Sequence, residues 1–263
     1  MLNKYNLSRG LAVLAMFGSL ALTAYAAHSW GVYHWGRESN PFTLKLGDNV
    51  SSAWDAYLST TSADWSLSSV LDTTIVSGST DPRKCRATSG RVEVCNAKYG
   101  FNGWLGVAQI WINSDGHIVK GTTKVNDSYF NTSTYNKPGW RNLVMCQEIG
   151  HNLGLDHQDE VSGNTNLGSC MDYTNDPDGT LYGQLSNEHP NAHDYEQLEA
   201  IYAHLDSATT VGQTVIDRPG NSGQGEEMSE WGESLRGDRG ASSVYERDLG
   251  NGNKVFTFVI WAE

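Results

Sequence analysis

An α+β domain is what this chain predicts, on three observations. Period-two runs rich in β-branched residues recur, two stretches carry apolar residues at helical spacing, and strands and helices cluster rather than alternate. The segments "NPFTLKL" (40–46), "SSVLDTTIVSG" (68–78), "GRVEVCNAKYG" (90–100), "GWLGVAQIWIN" (103–113) and "HIVKGTTKVND" (117–127) read as strands bounded by polar or glycine-rich breaks. Between the first two, Asp48 or Asn49 is placed to cap a helix in which Val50, Trp54, Tyr57 and Leu58 share a face. A helix at "QEIGHNLG" (147–154) follows the strands. Another lies at "NAHDYEQLEAIYAHLD" (191–206), where Asn191 can cap and Tyr195, Leu198, Tyr202 and Leu205 recur at helical spacing.

The ends of the chain are different in kind. Residues 1–26 have the make-up of a signal peptide: Lys4 and Arg9 lead an apolar run over 11–23, and Ala24-Tyr25-Ala26 offers a small-x-small cleavage site. That run falls short of the about 20 apolar residues a spanning helix needs, so no membrane attachment is expected after cleavage. The main domain then covers 27–206, a linker rich in Gly, Ser, Thr and Asp covers 207–229, and a C-terminal β-hairpin extension covers 230–263 with Gly250-Asn251-Gly252 at its turn. Val255, Thr257, Val259 and Trp261 alternate along the second arm of that hairpin, and packing on the main domain is its expected role. The formal charge of −12 argues against nucleic acid as a partner. A secreted or periplasmic monomer is expected.

Export also governs the cysteines. In an oxidising compartment their even number reads as two disulfides, with proximity favouring Cys85–Cys95 and Cys146–Cys170 among the three connectivities open to four cysteines. The second pairing would tie the start of the Gln147 helix to the segment around Met171.

The chemistry concentrates in "MCQEIGHNLGLDHQD" (145–159). On a helix Gln147 and His151 project from one face with Glu148 beside them, and Gly154 can end the helix in a left-handed turn that brings His157 back toward them. Three ligands on such a bend leave a metal position open, which is the mark of a catalytic rather than a structural zinc site.

"QEIGHNLGLDH" resembles the metzincin zinc-protease signature HExxHxxGxxH, as found in matrixin and astacin-like enzymes, at every defined position except the first. "SCMDYT" (169–174) is similar to the metzincin Met-turn. The resemblance covers roughly residues 43–205. It implies a zincin catalytic domain in which a twisted mixed sheet lies over an active-site helix and a C-terminal helix, with one zinc ion and a peptide or protein substrate. Glu148 would act as general base toward a water on the metal, His151 and His157 as ligands, Met171 as the floor of the site, and Tyr173 as stabiliser of the oxyanion. "WLGVAQIWI" (104–112) is the expected edge strand on which an extended peptide would pair, an interior strand being the alternative.

Gln147 stands where that signature has a His. An amide oxygen is a weaker zinc donor than imidazole, which lowers affinity without abolishing activity, and retention of Glu148 argues that the chemistry is in use. Other readings place His117, His189 or His193 in the missing position, or make the chain a weak or inactive extracellular module that binds peptide. "TNDPDGT" (174–180) offers Asp176 and Asp178 to calcium, against a simpler turn on Pro177 and Gly179. Near the N-terminus, His28 and His34 are candidates to block the metal, with packing of their aromatic neighbours the preferred reading.

Overall fold

The computed structural model describes residues 28–213, 228–236 and 242–262. The expected signal peptide and residues 214–227 of the expected linker lie outside the described residues. The elements are β1 (His34–Trp35), β2 (Phe42–Asn49), α1 (Asp55–Trp65), β3 (Leu71–Ser77), β4 (Val92–Ala97), β5 (Trp104–Ile112), β6 (His117–Asn126), α2 (Asp127–Phe130), α3 (Pro138–Asn152), α4 (Ala192–Ile201), β7 (Glu233–Arg236), β8 (Ser242–Gly250) and β9 (Asn253–Trp261). The fold is mixed α+β. Among the described residues one sheet runs in the order β3-β2-β4-β6-β5-β9-β8-β7, with β1 pairing on β6. The pairs from β3 through β6 are parallel and those from β6 through β7 are antiparallel. No helix among the described residues is long and apolar enough to cross a membrane.

Three expectations are corrected. The strand β5 is interior: it pairs with β6 on one side and, from Trp104 to Ile112, with β9 on the other. Every residue of β5 is buried, and all but Gln109 are apolar or glycine, since a strand covered on both faces has no solvent side to alternate toward. The first helix starts later than expected, because Asp48 and Asn49 belong to β2, where register with β3 and β4 holds them extended; its N-cap is Trp54, without a side-chain cap bond. The start of the expected linker is bound to the domain: Thr210 N–H donates to the Gly36 carbonyl and Gly212 N–H to that of Gly90.

The core sits between the sheet and α1, α3 and α4, with Trp35, Leu44, Leu46, Trp54, Leu58 and Trp65 among its buried members. Phe256, Phe258 and Ile260 of β9 also face it, the set opposite to the alternation noted in the sequence. Trp104, Val107, Trp231, Val259 and Trp261 form a smaller apolar cluster, so the C-terminal tryptophans pack rather than project. Asn191 does cap α4: its side chain accepts from His193 and Asp194 N–H while Asp194 bonds back to the cap, a reciprocal arrangement that satisfies otherwise orphaned donors. The disulfides join Cys85 to Cys95 and Cys146 to Cys170.

α3 is seated closely. A Cβ on Gly106 of β5 would lie 2.6 Å from both Glu148 Oε1 and Val144 Cγ1, so glycine lets the helix approach the sheet there. On another side of the helix a Cβ on Gly150 would lie 2.5 Å from Met171 Sδ and 2.9 Å from Trp65 Cζ2. An exposed helical Gly→Ala change gains up to about 1 kcal/mol. Gly150→Ala is expected instead to lose about 1–3 kcal/mol by overpacking. A denaturant midpoint at or above that of the parent would show that α3 is not wedged.

Candidate metal centre

The end of α3 sets the geometry of the site. Gly154 adopts φ +98, a left-handed conformation that side chains rarely tolerate, and a Cβ there would also come 2.7 Å from the Tyr33 carbonyl oxygen. Gly154 N–H then donates to the His151 carbonyl and Leu155 N–H to that of Gly150, the paired bonds that close a helix on a glycine. The N-terminal segment holds the turn from outside: Trp30 N–H bonds to the Gly154 carbonyl and Asp156 N–H to that of His28. Trp35 Nε1–H and Tyr202 O–H bond to the carbonyls of Asn152 and Leu153, which satisfies acceptors the helix leaves open.

This bend brings His157 to His151, with ring centroids 4.5 Å apart and planes perpendicular. Tyr173 stands 4.7 Å beyond His157. Its position follows from backbone bonds, Gln158 N–H to the Met171 carbonyl and Tyr173 N–H to that of Asp159, together with the Cys146–Cys170 bridge. Met171 lies under α3 at Gly150. Gln147 lies one turn before His151 on the same helix face.

The donor atoms are committed in a consistent way. His151 Nδ1 donates to the Leu155 carbonyl at 2.9 Å, and His157 Nδ1 lies between Glu160 Oε1 at 3.0 Å and Arg236 NH2 at 3.2 Å; donation to the nearer carboxylate leaves each ring its Nε2. Burial, with the neighbouring His157 second, holds His151 well below the usual imidazole range, so it is the neutral form that a metal takes. Gln147 Oε1 and Nε2, Glu148 Oε2, His157 Nε2 and the Tyr173 hydroxyl are buried and without a hydrogen-bond partner. Burial raises the Glu148 carboxyl well above its ordinary value, against a hydrogen bond from the Ala108 N–H. Tyr173 is raised likewise, by burial first and by the Glu148 charge second.

Several residues around the centre carry no signal of their own in the sequence. Phe258 of β9 stacks on His151 at 4.3 Å with planes 9° apart. Arg236 of β7 donates to both oxygens of Asp156, at 2.6 and 2.9 Å, and pairs through Nε with Glu160 at 2.8 Å. Only the closeness of Asp156 and Glu160 to His157 along the chain hinted at their part. The centre is thus roofed by the C-terminal strands.

Other sequence candidates lie elsewhere. His189 bonds to Asp64 at 2.7 Å, His193 stands beside His28, and His117 faces Asp206, so none of the three is among the ring or hydrogen-bond partners of His151 and His157. His28 pairs with Asp194 at 3.1 Å rather than with the centre. In the segment offered to calcium, Asp176 accepts from the N–H groups of Leu181 and Tyr182 and Asp178 from Thr180, so both carboxylates bend their own loop, as the turn reading expects.

Asp172, between Met171 and Tyr173, is a buried carboxyl raised from 3.8 to about 6 by burial, against donors from Leu167 N–H and the Asn187 amide. A folded value above the unfolded one means that the folded state keeps the proton longer. Its contribution is therefore full below pH 3.8 and is lost as pH rises through about 6. In chelator-containing buffer, Asp172→Asn is expected to remove about 1–3 kcal/mol of this pH dependence. Parallel stability curves for parent and variant across that window would refute it.

No protein-family model matches the chain, and no curated protein does. Among solved structures it is similar to high choriolytic enzyme 1, a hatching enzyme zinc-protease from Oryzias latipes (medaka fish), at 13% identity and a TM-score of 0.36, over 65% of this chain and 94% of that one.

Proposed function

We propose that this chain is a secreted zinc-dependent endopeptidase of the metzincin kind, in which Gln147, His151 and His157 hold the metal and Glu148 carries the proton. One observation supports it above the rest: both imidazoles have Nδ1 fixed by a backbone or carboxylate acceptor, while the Gln147 amide, Glu148 Oε2 and His157 Nε2 are buried and unbonded. Leaving such groups without a partner costs about 1–3 kcal/mol each, so a fold that buries them together is suited to a ligand. Zinc bound there would supply Lewis acidity toward a peptide carbonyl and toward water.

The remaining steps belong to the protein. Glu148, in a dry surrounding that raises its proton affinity, is suited to take a proton and pass it to the departing amine. Tyr173, kept protonated by the same burial, is suited to donate its O–H to oxygen that gains negative charge. Gln147 contributes a neutral oxygen in place of an imidazole, which weakens metal retention. Met171 braces α3 from below.

Access is controlled in this reading by the chain itself. The edge of β5 on which a substrate would pair is taken by β9, and Phe258 covers His151. The described conformation is a covered one, and the peptide enters when the C-terminal strands move aside. This also accommodates the alternative of a weakly active module.

Zinc analysis of the purified protein, with peptide-library cleavage in the presence and absence of chelator, tests the reading. Glu148→Gln is expected to lower cleavage by roughly 100- to 10,000-fold with zinc content unchanged. Gln147→His is expected to retain zinc more tightly. A folded protein that takes up no zinc at saturating concentration, or cleavage indifferent to chelator, would sink the assignment. Arg236→Ala, which cuts the charge-assisted anchor of β7, is expected to speed cleavage severalfold; an unchanged rate would separate the cover from activity.

A further inference from the structure

Away from this centre, His34, His204 and Asp206 bring three donor atoms together: His34 Nε2 and His204 Nε2 lie 3.2 Å apart, and each lies 3.4 Å from Asp206 Oδ1. His117 Nε2 reaches the same oxygen at 3.3 Å. Zinc bonds of about 2.0–2.1 Å place tetrahedral donors about 3.3 Å apart, so His34, His204 and Asp206 already have the spacing of one face of such a site. We propose that His34, His204 and Asp206 form a second site for a borderline divalent ion such as zinc, with His117 beside the ligating carboxylate.

The hydrogen bonding points the same way. His34 Nδ1 donates to the Val32 carbonyl at 2.7 Å, so in the neutral ring Nε2 presents a lone pair to the lone pairs of Asp206 Oδ1. A shared cation turns that opposition of acceptors into coordination. The second oxygen of Asp206 is held by Arg37, from NH1 at 2.7 Å and from the backbone N–H at 3.1 Å, and an outer-shell anchor of this kind orients a ligating carboxylate. Arg37 also donates to the His204 carbonyl, fixing the segment after α4. Two imidazole nitrogens and one carboxylate oxygen suit zinc rather than calcium or magnesium, which take oxygen sets. His204 is 57% exposed along its side chain, which gives an ion a way in.

Such an ion would clasp β1 to the segment after α4, with His117 at the start of β6 held against the same carboxylate. β1 includes Trp35 and that last segment follows Tyr202, the two residues that bond the end of α3. Metal at this clasp therefore steadies the bend beneath the first centre without taking part in its chemistry.

Metal counting on the full chain, by equilibrium dialysis against zinc with elemental analysis and by cobalt substitution, tests the site. In the double variant His151→Ala/His157→Ala about one zinc per chain and visible tetrahedral cobalt bands are expected to remain. Adding the exposed change His204→Ala is expected to weaken that binding at least tenfold and remove the bands. A double variant that binds no metal, or whose zinc is indifferent to His204→Ala, would overturn the proposal. Parent protein whose single zinc is lost on His204→Ala but survives the double change would support this site while sinking the peptidase reading.

Discussion

The tight seat of α3 is the constraint from which the other features follow. Its sheet-facing side meets β5 where glycine leaves no side chain between them, and Met171 and Trp65 fill the space at Gly150. A helix pressed this closely cannot roll, so the direction of Gln147, Glu148 and His151 is set by steric contact. The same seating strips water from Glu148 and His151, which shifts both toward their neutral forms. Rigidity and electrostatics thus have one origin.

At the C-terminal end of α3 the chain changes direction within a few residues, and polar bonds from remote segments hold it there. Trp30, Trp35 and Tyr202 each satisfy a carbonyl of the turn. Beyond it, Asp156 and Glu160 flank His157 and are neutralised by Arg236 from β7. The planar fork of the guanidinium suits the paired oxygens of Asp156, while its Nε meets Glu160.

The C-terminal strands serve the fold and the cover together. Burial of Phe256, Phe258 and Ile260 contributes about 1.5–3 kcal/mol for each side chain, so β9 is part of the core. Placing the residue that stacks on His151 within that core makes opening of the site a question of sheet stability. In the proposed peptidase, activity and unfolding of the hairpin are then coupled.

The local parts of this picture were legible in the residues themselves. Strand runs such as "HIVKGTTKVND", the Asn191 cap, the glycine-ended helix and the approach of His157 to His151 all rest on interactions within a few positions, which periodicity and turn chemistry report. What only the tertiary structure decided depends on residues far apart in the chain. The place of β5 between β6 and β9 could not be read from its apolar run, because burial on both faces gives the same pattern whichever strand lies alongside. Phe258 over His151, Arg236 against Asp156, and three histidines around Asp206 come together only when the sheet closes, since hydrogen bonds, charge and shape act through space and leave no spacing behind in the sequence.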